Sequence, residues 1–99
     1  MTTQFINVVR GKVKEGCEQK YLEAIDGWYV PVGMSDRYLI KTGDLSYCSV
    51  GLWESEEKLI AARPQMIENL NSVREYLEEL SPELGVTDPV SGSVISHQS

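Results

Sequence analysis

Leu45-Ser46-Tyr47-Cys48-Ser49-Val50-Gly51-Leu52-Trp53-Glu54-Ser55-Glu56-Glu57 is the stretch on which the fold turns. From Leu45 to Trp53 the side chains alternate: Tyr47, Ser49, Gly51 and Trp53 share one side, and Cys48, Val50 and Leu52 the other, which is the period of a strand. The pattern then stops. Ser55 has the hydroxyl that caps a helix, and Glu56 and Glu57 fall in a first turn, where the helix dipole favours negative charge. A strand running straight into a capped helix is therefore predicted.

Upstream, Met34 to Lys41 reads as a second strand centred on Tyr38-Leu39-Ile40, joined to the first by a turn at Thr42-Gly43-Asp44 as a hairpin. Gly27, Pro31 and Gly33 interrupt all periodicity, so Trp28 to Gly33 is a loop. Before it, Cys17 to about Gly27 carries Tyr21, Leu22 and Ile25 at helical spacing, and Lys14-Glu15-Gly16 turns the chain. Phe5 to Val13 is rich in β-branched residues with apolar positions on both faces, which suits a strand covered on at least one side and partly on the other.

Downstream, Arg63-Pro64 disfavours helical geometry at Arg63 and suits a new start at Pro64, so the second helical region is expected in two pieces. Met66, Ile67, Leu70, Val73, Leu77 and Leu80 form one apolar stripe beyond the break. Ser81-Pro82 ends it, Gly85 allows a reversal, Pro89 to Ile95 supplies a fourth strand, and Ser96 to Ser99 is a polar tail. With neither internal repeat nor linker, residues 1–99 read as a single α+β domain of βαββαβ order. Right-handed crossovers make this a ferredoxin-like antiparallel sheet with both helices on one face. Its second face then needs a cover, and a twofold homodimer, closing a dimeric α+β barrel, is the commonest one.

Composition narrows the function classes. Ninety-nine residues with 41% hydrophobic and 24% charged side chains are ordinary for one small globular core. A net charge of −6, with nine basic residues scattered along the chain, argues against a nucleic-acid partner. No apolar run approaches the roughly 20 residues of a membrane span, and Met1-Thr2-Thr3-Gln4 leads into a strand rather than a signal peptide, so no membrane partner and a cytoplasmic location are expected. Cys17 and Cys48 form neither a CxxC pair nor a disulfide framework.

Val13-Lys14-Glu15-Gly16, before the first helix, and Val50-Gly51-Leu52-Trp53-Glu54-Ser55-Glu56-Glu57, from strand into helix, resemble the antibiotic biosynthesis monooxygenase (ABM) domain pattern of the dimeric α+β barrel superfamily. The resemblance covers almost the whole chain. It implies a pocket between sheet and helices and, in members with a known reaction, oxygenation of quinols or anthrone-like aromatics without metal or flavin, so that no cofactor is expected. Asn7 matches the position of an asparagine that holds substrate or oxygen. Relatives that degrade haem need a histidine on the long second helix; here the only histidine is His97, in the tail, which argues against haem.

Each candidate residue has a chemical reason. Asn7 interrupts an apolar strand, where an amide must find partners or bind a ligand. Arg63 and Arg74 have guanidinium groups suited to a phenolate or enolate. Tyr38, Tyr47 and Trp53, with Met66, could line a slot for a planar ligand, and Trp28 on its loop could act as a lid. Adjacent carboxylates Glu56-Glu57 and Glu78-Glu79 point apart on their helices, and no ligand spacing for a metal recurs. The sequence reading is thus a cofactor-independent monooxygenase for a small aromatic or quinol; the alternative is a non-catalytic ligand-binding or accessory dimeric module of the same fold.

Overall fold

The computed structural model describes residues 4–98. Met1–Thr3, read above as free of a signal peptide, and Ser99 of the polar tail lie outside them. The elements run β1 (Phe5–Lys12), α1 (Glu18–Asp26), β2 (Met34–Gly43), β3 (Ser46–Trp53), α2 (Glu56–Val73) and β4 (Asp88–Ser93), with a 3₁₀ turn over Arg74–Tyr76 after α2. The sheet has the order β2-β3-β1-β4 with every pairing antiparallel, which is the ferredoxin-like α+β arrangement read from the sequence.

Register assigns the two faces. Phe5 pairs with Trp53, Asn7 with Gly51, Val9 with Ser49 and Gly11 with Tyr47, so these side chains share the face that the helices cover. Both helices bury their apolar stripes there, Tyr21 and Ile25 from α1 and Leu59, Ala62 and Val73 from α2. On the opposite face a single row crosses all four strands: Tyr38, Val50, Val8 and Val90. Nothing among the described residues covers it, and Tyr38 is 56% and Val90 53% exposed.

Three local expectations are corrected. The helix is not broken at Arg63-Pro64: α2 continues through Pro64. Arg63, Pro64 and the preceding turn at Ile60 face solvent, so water can take up the carbonyl that proline leaves unpaired. The helix also ends at Val73 rather than near Leu80, because the end of β1 competes for the chain: Lys14 N–H donates to the Tyr76 carbonyl at 2.8 Å, Glu78 N–H to the Lys12 carbonyl at 2.8 Å, and Val13 bridges to Leu77. Leu77 still reaches the core, from an extended backbone. The hairpin turn sits at Asp44-Leu45, one residue later than Thr42-Gly43-Asp44, with Leu45 at φ 59°. Its carbonyl accepts the Val13 N–H at 2.7 Å, which ties that turn to β1.

The junction from β3 into α2 forms as read. Ser55 is extended and its hydroxyl accepts from the Lys58 N–H at 3.3 Å. Close by, Gly33 has φ +94° and packs where a Cβ would lie 2.6 Å from the Lys58 Cβ, while its carbonyl accepts from the Glu54 N–H at 2.9 Å. Loss of the cap in Ser55→Ala is expected to lower stability by about 1 kcal/mol in urea denaturation, without changing the fold seen by circular dichroism; an unchanged midpoint would mean that the Gly33 contact alone positions α2.

Candidate functional site

The covered face of the sheet is not filled. Along β3 the helix-facing side chains run Tyr47, Ser49, Gly51, Trp53: large at the two ends and small in the middle. The core accordingly splits into two clusters, one around Val13, Tyr21, Ile25, Tyr47, Val73 and Leu77, the other around Phe5, Trp53, Leu59 and Ala62. Between them lies a cavity of about 590 Å³. Its floor is the sheet at Asn7, Val9, Ser49, Gly51 and Ser91; α2 contributes Leu59, Arg63, Met66 and Leu70; α1 and its following loop contribute Tyr21, Ile25 and Trp28.

One polar arrangement organises this floor. The Trp53 indole N–H donates to the Asn7 Oδ1 at 2.7 Å, and both residues are buried, at 0% and 8% exposure. An indole nitrogen can only donate, so the amide must turn its oxygen towards Trp53 and its NH₂ away. Asn7 lines the cavity, and the hydrogen bonds of the described residues give that NH₂ no protein acceptor. Gly51, between them on β3, is what makes the contact possible. A Cβ there would overlap the Asn7 Oδ1 and come within 3.0 Å of the Trp53 Nε1 and 3.1 Å of the Met34 Cε.

The candidates read from the sequence divide. Asn7, Trp28, Arg63 and Met66 all line the cavity, Arg63 from an exposed position at its mouth. Trp28 is tied to α2 by its indole N–H, which donates to the Ser72 hydroxyl at 3.3 Å. Trp53 does not line the cavity; it supports it from beneath by holding Asn7. Tyr47 lies in the core cluster beside Tyr21, ring centroids 5.5 Å apart, with its hydroxyl donating to the Glu18 carboxylate, and Lys41 pairs with the same carboxylate at 2.8 Å. The two donors, Lys41 first, hold the Glu18 carboxyl below its ordinary range, and the same carboxylate raises both the Lys41 ammonium and the Tyr47 phenol. Tyr38 is on the opposite face of the sheet, because strand alternation turns it away from Arg37 and Leu39. Arg74 is exposed and bonds Asn71 at 3.2 and 3.3 Å, away from the cavity.

Four cavity residues, Arg37, Ser49, Gly51 and Tyr21, escaped the sequence reading. Arg37 follows from alternation once the β2–β3 register is known, since it pairs with Gly51. Ser49 and Gly51 were visible as small side chains between Tyr47 and Trp53, which is the signal for a hollow. Tyr21 reads as ordinary helix core from its spacing alone. Its buried phenol is pushed up to about 12, first by desolvation and then by Tyr47, so at neutral pH it offers a proton to the cavity and does not remove one. Among the described residues no group of three or more His, Cys, Asp or Glu is placed to hold a metal, and no helix is long and apolar enough to cross a membrane.

No protein-family model matches the chain, and no curated protein does. Solved structures match its fold throughout. SnoaB, a cofactor-independent oxygenase from Streptomyces nogalater, is 13% identical, with a TM-score of 0.74 over 95% of this chain and 95% of that one. A Bacillus cereus protein assigned to the antibiotic biosynthesis monooxygenases is 20% identical, with a TM-score of 0.62 over 98% of both. A dimeric ferredoxin-like protein from an uncultured marine organism is 12% identical, with a TM-score of 0.74 over 98% of this chain and 92% of that one. The resemblance read from Val13–Gly16 and Val50–Glu57 thus extends to the whole backbone: the chain has the fold of the ABM proteins. At these identities the likeness is one of fold.

Gly51→Ala and Trp53→Phe should each lower stability by roughly 1–3 kcal/mol, the first by crowding and the second by stripping a buried amide of its partner. Urea unfolding measures both, and wild-type stability in the two variants would show that the Asn7 amide is not held by this bond. For Tyr21 the sign runs towards alkali: below pH 10 the folded and unfolded phenols are both protonated, while between pH 10 and about 12 only the unfolded one ionises. Stability should therefore fall across that window, and Tyr21→Phe should flatten the fall in unfolding curves taken at pH 9, 10 and 11.

Proposed function

We propose that the protein is a cofactor-independent monooxygenase acting on a small aromatic or quinol held in this cavity, and that it works as a cytoplasmic homodimer. The observation that carries the reading is the Asn7 amide, buried, oriented by Trp53 and presenting its NH₂ to a largely apolar cavity of about 590 Å³. That volume lies within the range of small-molecule sites. Among the described residues no buried side-chain nitrogen or oxygen lacks a partner, so this NH₂ faces open cavity space, where an oxygen atom of substrate, dioxygen or a peroxide is a suitable acceptor.

The chemistry needs little from the protein. An ionised anthrone-type carbon can give one electron to dioxygen, the resulting radical pair can join as a hydroperoxide, and loss of water leaves a carbonyl. Overall a ring CH₂ and O₂ become a ring C=O and H₂O, with all four electrons coming from the substrate. What the chain supplies is a shaped, largely apolar space, an amide donor for the negative charge that develops on oxygen, and guanidinium groups for the ionised substrate, the exposed Arg63 among them. Tyr21 stays protonated, so ionisation rests on the substrate's own acidity.

Two further observations support the reading. The fold is shared with SnoaB, described as a cofactor-independent oxygenase. Cys17 and Cys48 are free thiols, as suits a reducing compartment. For the dimer, the row Tyr38, Val50, Val8 and Val90 gives an apolar sheet face that only a second surface can take out of water, and one structural neighbour is described as dimeric. A non-catalytic module with the same cavity would bind ligands without consuming oxygen.

Oxygen uptake by the purified protein against hydroquinones, anthrones and flavonoids is expected to exceed the buffer rate for at least one of them, and to fall by about 10²-fold in Asn7→Ala, as for loss of one oxyanion donor. No uptake across the panel from a folded protein would assign the cavity to binding alone. Val50→Glu puts a charge at the centre of the uncovered sheet face, and size-exclusion chromatography with light scattering should then report a monomer where wild type is a dimer; an unchanged dimer would place the interface elsewhere.

A further inference from the structure

We propose that the cavity selects a planar aromatic oxyanion, a carboxylate or an ionised phenol, and that Arg37 is the residue that reads its charge. The proposal rests on the reading of the cavity as a small-molecule site.

The first argument is a reversal of charge. The chain has fifteen acidic and nine basic residues, yet the cavity lining on the covered side of the sheet contains Arg37 and Arg63 and not one Asp or Glu. A lining drawn evenly from this composition would be acidic. Its remaining polar groups include the Asn7 NH₂ and the protonated Tyr21 phenol, both donors. Such a lining repels a cation and welcomes an acceptor with negative charge.

The second argument singles out Arg37. Arg10 is on the opposite face of the sheet from Asn7 and is paired with Asp88 at 3.3 Å, and Arg63 is exposed at the mouth. Arg37 is half-buried and enters neither of the two ion pairs among the described residues. Its one hydrogen bond there is from Nη2 to the Ile25 carbonyl, at 3.3 Å. A guanidinium has five donors in a planar fork, so most of its capacity is uncommitted. Glu23 and Asp26 border a smaller hollow on its α1 side but do not come within ion-pair distance. A partly desolvated cation without a counter-ion is costly, and a bound oxyanion offsets that cost.

The third argument is geometric. Arg37 pairs with Gly51, and Gly51 with Asn7, so the guanidinium and the amide stand on one row of the sheet with only a glycine between them. Two strand spacings separate their backbones by on the order of 10 Å, close to the length of a fused bicyclic ring. A flat ligand lying over Gly51 can meet Arg37 with its anionic edge and Asn7 with the opposite one. In the oxygenase reading, Arg37 would thereby favour the ionised form from which the electron leaves.

The test is equilibrium binding at pH 7 of 2-naphthoate and its neutral isostere 2-naphthamide, with a 4-nitrophenol titration followed by absorbance as the phenol arm. Wild type is expected to bind naphthoate at least tenfold more tightly than the amide, or to lower the pKa of bound nitrophenol by about one unit, the same tenfold preference. The first result identifies a carboxylate site and the second a phenolate site. Arg37→Gln, its fold checked by circular dichroism, should bring the preference to within about twofold; Arg74→Gln should keep the full preference. Should Arg37→Gln lose the fold with its Ile25 contact, Arg37→Lys, which keeps the charge without the fork, should retain a reduced preference. Equal affinity of wild type for charged and neutral probes, with no nitrophenol shift, overturns charge selection and leaves the cavity reading standing. A preference that survives in folded Arg37→Gln removes Arg37 from the role. Failure of wild type to bind any of the probes overturns the cavity reading and this proposal with it.

Discussion

The hydrogen bond from the Trp53 indole to the Asn7 carboxamide, made across Gly51, is the constraint on which the rest of the site depends. It joins the two central strands through side chains as well as backbone. It fixes which end of the amide faces the cavity, because an indole nitrogen has a proton to give and no lone pair to offer. It also anchors the second core cluster, in which the fully buried Trp53 packs with Phe5, Leu59 and Ala62. One contact thus couples the packing beneath α2 to the polarity of the hollow beside it. A structural tryptophan and a candidate catalytic amide are two halves of the same device.

The hollow exists because the sheet face tapers. Tyr47 and Trp53 fill the two ends and Ser49 and Gly51 leave the middle low, so α2 rests on the ends and spans the gap with Met66 and Leu70. A chain of this size has little apolar surface to spare, and leaving about 590 Å³ unfilled forgoes dispersion and burial that a packed core would have gained. The outer row Tyr38, Val50, Val8 and Val90 holds apolar area that the single chain leaves in water. In the proposed dimer that area would offset what the hollow costs, and the binding space and the subunit interface would lie on opposite faces of one sheet.

The strand-to-helix junction, the order of the elements and the division of β3 into two faces were legible because each rests on local chemistry: alternation, a serine cap and acidic residues in the first turn. What misled was competition from outside the segment. Pro64 carries a local signal for a break, yet on an exposed turn the unpaired carbonyl can turn to water and the helix continues. Leu77 and Leu80 continue a helical period, yet the backbone of Lys12 and Lys14 draws residues 76–78 into extended pairing. Tyr38 has the composition of a ligand-binding aromatic, and only the β2–β3 register shows that it faces away from the cavity.

By itself the sequence determined the βαββαβ order, the ferredoxin-like class and the singling out of Asn7, because these follow from periodicity, capping and the cost of a polar side chain in an apolar strand; the likeness to the ABM pattern came from the motifs at Val13–Gly16 and Val50–Glu57. The tertiary structure decided the rest. Which arginine faces the cavity is a matter of register, since a shift of one residue exchanges Arg37 for Tyr38. Which end of the Asn7 amide is free is a matter of its partner, Trp53, 46 residues away. That the cavity is basic in an acidic chain depends on how the folded chain distributes its charges between the surface and an interior hollow, and composition is blind to that.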